Sequence, residues 1–191
     1  MNAGPNRAVF LDRDGVLNVE VDYLYRVEDF AWIPGAPEAV RRLNEAGFVT
    51  LVVTNQAGVA RGYYGEEDVA RLHAFMQEAL AGAGARIDAF YYSPYHPEGT
   101  VERYRRVTDC RKPGCGLFER AIREWNVDPA RSFVVGDKES DVEPGRALGM
   151  TTFLVETGHG RTYRATTDAD YVVTDVGAAV DHLLALSRNA E

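Results

Sequence analysis

The sequence predicts an α/β protein built on a doubly wound, mainly parallel sheet flanked by helices. Three observations carry this expectation: short apolar runs recur along the chain, segments of helical period lie between them, and proline and glycine punctuate the joins. Residues 8–12 form an apolar run entering a polar loop, the first expected strand. Residues 37–46 follow with helical period; Pro37 suits a first helical turn and Gly47 the position just past the end. Residues 49–53 read as the second strand and 66–80 as the second helix. Further strands are expected at 87–92, 132–135, 152–155 and 171–173, and further helices at 117–125, 142–148 and 176–186. Two connections are long, residues 13–35 and 93–116. Long loops in a compact domain are usually functional, and in open α/β sheets they matter most at the carboxyl ends of strands. Neither is long enough to fold as a separate cap. Residues 8–187 are therefore expected to form a single open domain between a flexible arm, 1–7, and a tail, 188–191.

The chain has 191 residues, 46% of them apolar and 26% charged, the balance of an ordinary globular protein with a real core. With 29 acidic and 21 basic side chains its net charge is −8, which argues against nucleic acid and anionic membranes as partners. The apolar run at 48–53 is far short of the roughly 20 residues of a membrane span. Met1 to Arg7 lacks the apolar stretch of a signal peptide, and two cysteines do not make a disulfide scaffold. A cytoplasmic monomer acting on a small molecule is expected.

Four polar strings carry the chemistry. Asp12-Arg13-Asp14-Gly15 follows the first strand, and two aspartates at i and i+2 can face one site where Gly15 lets the backbone turn. Alone, such a string is more often a turn or part of a calcium loop. Asp137-Lys138-Glu139-Ser140-Asp141 follows another apolar run; standing alone, its aspartates serve equally well as helix caps. Parallel strands put both strings at one edge, where two like charges about 4 Å apart cost on the order of 4 kcal/mol at an effective dielectric of about 20. A divalent cation relieves that repulsion, and an all-oxygen site favours magnesium. Thr54-Asn55-Gln56 places a hydroxyl and an amide beyond the second strand, and Cys110-Arg111-Lys112-Pro113 supplies positive charge ahead of a helix. In isolation these are a capped turn and a solvated basic pair.

Together, in this order, the strings resemble the haloacid dehalogenase superfamily of aspartate-nucleophile phosphotransferases. Residues 11–18, 53–62, 110–113 and 136–138 resemble in particular the D-glycero-D-manno-heptose 1,7-bisphosphate phosphatase family, with histidinol-phosphate phosphatase a sister family. The long segment from His96 to Cys110 favours the former. The resemblance implies a Rossmann-like fold without a large cap, and a magnesium-dependent phosphatase that removes the 7-phosphate of the heptose bisphosphate in the biosynthesis of ADP- or GDP-heptose precursors. It implies Asp12 as nucleophile forming an aspartyl-phosphate, and Asp14 as general acid and base with the higher pKa of the two. Magnesium is implied on Asp12, the Asp14 carbonyl and Asp137, with Asp141 supporting the metal. Thr54, Asn55 and Lys112 are implied on the transferring phosphoryl group, Lys138 on Asp12, and Arg111 on the sugar or its remaining phosphate. The alternatives are a histidinol-phosphate or other small-metabolite phosphatase, and a non-catalytic phosphate-binding or receiver-like module.

The resembling families commonly carry a structural zinc in the third loop, bound by Cys-X-His and a later Cys-X-Cys. Here those positions read Ser93-Pro94-Tyr95 and Thr108-Asp109-Cys110. One of four ligands remains, with Cys115 and His96 nearby, so no zinc is expected. Packing of Tyr91, Tyr92, Tyr95 and Tyr104 is the expected substitute. His73, His182, Trp32 and Trp125 are read as structural, and His159 is given no role.

Overall fold

In the computed structural model, which describes residues 4–189, the apolar run Ala8–Leu11 is strand β1 and is buried throughout. A strand covered on both faces belongs in the middle of a parallel sheet. β1 pairs in parallel with β2 (Val49–Asn55) on one side and with β4 (Phe133–Gly136) on the other. With β3 (Ala89–Ser93), β5 (Thr151–Val155) and β6 (Tyr171–Val173) the sheet has six strands in the order β3-β2-β1-β4-β5-β6, every pair parallel.

The helices are α1 (Ala36–Glu45), α2 (Ala57–Arg61), α3 (Glu66–Gly82), α4 (Gly116–Glu124), α5 (Glu139–Ala147), α6 (Gly160–Tyr163) and α7 (Val176–Asn189). Strand alternation divides the core between the two faces. Val9 and Leu11 join Val40, Leu43, Met76, Leu80, Val180 and Leu183, whereas Ala8 and Phe10 join Leu117, Phe118 and Ala121. α2 and α6 were not expected; five and four residues long, they are too short to show a helical period. No helix among the described residues is long and apolar enough to cross a membrane.

Residues 1–3 and 190–191, in the expected arm and tail, lie outside the described residues. Asn6 is tied to the body, its N–H donating to the Asn126 carbonyl and its carbonyl accepting from Asp128 N, both at 2.8 Å. The long connection after β1 folds back on itself: Val19 N donates to Ala31 O and Ile33 N to Leu17 O, each at 2.8 Å. The connection after β3 carries one helical turn, Glu102–Tyr104.

The strand order changes direction between β1 and β4, and the crevice at such a switch point is where open α/β sheets bind ligands. Leu11 stands opposite Val135 in the register, and Asp12 N donates to Val135 O at 3.0 Å. Asp12 and Asp137 therefore leave the sheet side by side.

Candidate active site

Asp12 is 8% exposed. Lys112, itself buried, sets its Nζ 2.9 Å from Asp12 Oδ1 and 2.6 Å from Asp141 Oδ1, and donates to the Val53 carbonyl at 2.7 Å. The Asn55 side chain fixes the loop that delivers this lysine: Nδ2 donates to Lys112 O at 3.0 Å and Oδ1 accepts from Lys112 N at 3.1 Å. Asp141 is both a cap and a site residue. Its Oδ2 accepts from the N–H groups of Asp137 and Lys138 at 3.2 and 3.0 Å where α5 begins, and its Oδ1 faces Lys112. Asp137 is fully buried. Its Oδ2 accepts from His159 N at 2.8 Å, and its Oδ1 has no hydrogen-bond partner among the described residues.

Asp12, Asp137 and Asp141 offer oxygens that all lie within 4.8 Å of one another. Burial, opposed by Lys112 and reinforced by the charges of Asp141 and Asp14, lifts the Asp12 carboxyl to about 6. Burial together with Asp12 and Asp141 lifts Asp137 to about 8. Burial disfavours the Lys112 ammonium, yet Asp12 and Asp141 hold its pKa well above the usual lysine range. One buried ammonium thus faces three buried carboxylates, one with a bare oxygen. That surplus of hard oxygen charge fits a hard divalent cation, which would keep the carboxylates ionised.

Asp14 departs from the sequence expectation. Its carboxylate is turned to Arg13, whose Nη2 lies 2.8 and 2.9 Å from Oδ1 and Oδ2, and it also accepts from Asn18 Nδ2 and Gln56 Nε2 at 3.0 Å. Burial raises its pKa, but Arg13 and the hydrogen bonds from Asn18 and Gln56 outweigh this and hold it below the ordinary carboxylate value. The expected order is therefore reversed: Asp12, not Asp14, is the more basic carboxylate in this arrangement of the chain's own charges.

These groups open on a cavity of about 320 Å³ lined by Asp12, Asp14, Thr54, Asn55, Arg111, Lys112, Lys138 and Asp141. Thr54 is buried and its hydroxyl accepts from Gln56 Nε2 at 3.0 Å. The ammonium on Asp12 is that of Lys112; Lys138 Nζ instead lies 3.4 Å from Glu20 and 4.0 Å from Asp137. Sequence reasoning missed Glu20, Arg61, His96 and His159 as cavity residues, and the partnership of Gln56 with Asp14. His159 Nε2 lies 3.5 Å from Glu20. Only Gln56 had a local signal, its place directly after Thr54-Asn55.

In the connection after β3, Cys110 and Cys115 are both free thiols. Tyr92, Tyr95 and Tyr104 pack together, with the Tyr92 and Tyr104 hydroxyls donating to Glu66 at 2.6 and 2.5 Å. Tyr91 does not join them: one residue along the strand it faces the other side of the sheet and donates to Glu124.

Residues 109–179 match the model of the HAD-hydrolase-like family. The chain is 46% identical over 155 residues to D-glycero-beta-D-manno-heptose-1,7-bisphosphate 7-phosphatase of Rhodopseudomonas palustris, covering 81% of this chain and 86% of the relative. It is 45% identical over 186 residues to D-glycero-D-manno-heptose-1,7-bisphosphate 7-phosphatase of Thermosynechococcus vestitus, covering 93% and 95%. Among solved structures, D,D-heptose 1,7-bisphosphate phosphatase of B. bronchiseptica, complexed with magnesium and phosphate, superposes with a TM-score of 0.85 at 31% identity, covering 94% of this chain and 99% of that one. With relatives of this identity along nearly its whole length, and the acidic crevice described above, the chain belongs to the heptose-bisphosphate phosphatase family of haloacid dehalogenase-like hydrolases.

Proposed function

We propose that this protein is a magnesium-dependent phosphatase that removes the 7-phosphate from D-glycero-D-manno-heptose 1,7-bisphosphate, supplying heptose 1-phosphate for nucleotide-activated heptose biosynthesis. The single observation that carries this reading is the buried set Asp12, Asp137, Asp141 and Lys112 at the carboxyl edge of β1 and β4, in a chain whose relatives bear that name.

Asp12 is the nucleophile. Its Oδ1 accepts from Arg13 N at 2.7 Å and meets Lys112 at 2.9 Å, which leaves Oδ2 to attack phosphorus as the bond from phosphorus to the sugar oxygen breaks. The product is an aspartyl-phosphate, and water then attacks its phosphorus to return the carboxylate. Asp14 gives a proton to the leaving sugar oxygen and afterwards takes one from the water. To do so it must arrive protonated, against the pull of the Arg13 guanidinium beside it. Lys112 and Thr54 stabilise charge on the phosphoryl group, with Asn55 acting through the loop it fixes. Lys138 stands beside Glu20 and Asp137 and tempers the negative charge there. Asp12, Asp137 and the Asp14 carbonyl would hold the magnesium ion, with Asp141 in support; when bound, it would supply the positive charge that lets one anion approach another.

Phosphate release from both anomers of the heptose bisphosphate and from histidinol phosphate, with and without magnesium, tests the reading. Magnesium-dependent turnover that favours the heptose ester is expected. A preference for histidinol phosphate would overturn it.

A further inference from the structure

Gln56 and Tyr64 line the cavity but have no part in the hydrolysis just described, yet they stand directly behind two groups that do. The chain builds this contact within one short stretch. β2 ends in Thr54-Asn55, Gln56 follows, and α2 brings the backbone round so that Tyr64 meets Gln56 again. Tyr63 N closes the turn on Gly58 O at 2.9 Å. A methyl group on Gly58 would strike the Tyr64 ring, so glycine is what lets the phenol come this close to α2. The ring also stacks on Tyr25 of the strap after β1, with centroids 5.1 Å apart and planes inclined by 17°.

The hydrogen bonds along this contact run in one direction. Tyr64, Gln56 and Thr54 are all buried. Burial raises the Tyr64 pKa well above the ordinary phenol value, so the hydroxyl keeps its proton and donates it to Gln56 Oε1 at 2.8 Å. With its oxygen engaged there, the Gln56 amide turns its nitrogen to the site, and Nε2 donates to Asp14 Oδ2 and to Thr54 Oγ1, both at 3.0 Å. The two N–H groups of one amide thus reach two groups of the site. An amide turned the other way would set its oxygen against the Asp14 carboxylate, acceptor against acceptor. Because Thr54 Oγ1 accepts from Gln56, the threonine's own proton is left to donate into the cavity that Thr54 lines.

We propose that Tyr64 is a positioning residue for phosphoryl transfer: acting through Gln56, its hydroxyl fixes the direction of the hydrogen bonds that reach Asp14 and Thr54, so that the Thr54 hydroxyl donates to the transferring phosphoryl group. This rests on the phosphatase reading above and deepens it by placing two further residues behind that site. Tyr64 itself makes no bond to substrate. Its effect falls on the transition state, where a donor already oriented toward the phosphoryl oxygens stabilises their charge without first having to turn.

The test is a double-mutant cycle read by steady-state kinetics on heptose 1,7-bisphosphate. Y64F keeps the ring and removes the hydroxyl, which leaves the Gln56 amide without the group that orients it. It is expected to lower kcat about 5- to 30-fold while KM stays within about twofold. Q56M removes the relay, so adding Y64F to it is expected to lower kcat by less than about twofold more, a cancellation that a merely structural hydroxyl would not show. If Q56M does not fold, T54V takes its place, and the Y64F loss is expected to shrink there too. A Y64F protein with the wild-type kcat, a loss carried by KM alone, or the same loss in both backgrounds would overturn the proposal. Wild-type protein that turns over p-nitrophenyl phosphate but no heptose ester would overturn the substrate reading, and the Y64F loss is then read on that ester. Turnover of neither would overturn the phosphatase reading itself, and the proposal with it.

Discussion

Arg13 and Asp14, adjacent in sequence, fold back on each other: the guanidinium of Arg13 is fully buried, and its Nη2 lies within 2.9 Å of both carboxylate oxygens of Asp14. An arginine with no exposed surface needs a counter-charge, and Asp14 is it. D14N therefore acts twice. It removes the acid–base group, lowering kcat by about 10²- to 10⁴-fold, and it leaves Arg13 uncompensated, lowering stability by on the order of 3 kcal/mol. Steady-state kinetics and urea unfolding on the same preparation check both effects.

Lys112 is the single ammonium between Asp12 and Asp141. K112M leaves two buried carboxylates facing each other, so it should cost about 3–5 kcal/mol in denaturant unfolding and abolish phosphate release. A variant as stable as wild type would show that the ammonium is not what holds these carboxylates together.

Stability should depend on pH in a direction set by the raised carboxyls. Asp12, lifted to about 6, and Asp137, lifted to about 8, bind protons more tightly folded than unfolded. Their contribution to the metal-free protein is complete below the ordinary carboxylate pKa and is lost as pH rises through about 6 and then about 8. Asp14 runs the other way, contributing above the ordinary value and losing its contribution as pH falls through its depressed one. Magnesium competes with those protons. The increase in Tm on adding it should therefore grow from pH 5 to pH 8.5, as thermal unfolding in chelator and in magnesium will show; an increment independent of pH would contradict the charge balance described.

Gly15 adopts φ +82°, and a methyl group there would strike Asp137 Oδ2. G15A is thus strained in its backbone and displaces a carboxylate of the crevice. It should weaken the magnesium dependence of turnover, raising the half-saturating magnesium concentration about tenfold or more, read from a titration of activity against the ion.

Much of this site was legible because its strings end apolar runs. Asp12 follows Phe10-Leu11 and Asp137 follows Val134-Val135-Gly136, and once the strands are parallel their residues must emerge at one edge. What lay outside local reach was pairing through space. Glu20 and His159 are far apart in sequence and meet only because the strap after β1 lies against the turn after β5. Arg13, between two aspartates, carries no local sign of the partner it takes, and it is wholly buried. Lys112 takes the place beside Asp12 that was expected of Lys138, because the Asn55 side chain pins the loop that carries Lys112. Tyr91 and Tyr92 are alike in composition, and strand alternation alone sends them to opposite faces.

The most direct measurement is acid quenching during a single turnover of heptose bisphosphate labelled in its 7-phosphate, followed by peptide mapping. The account predicts a transient acyl-phosphate on the peptide that contains Asp12, absent from D12N, which keeps the wild-type fold but releases no phosphate. Label on another residue, or full turnover by D12N, would contradict it.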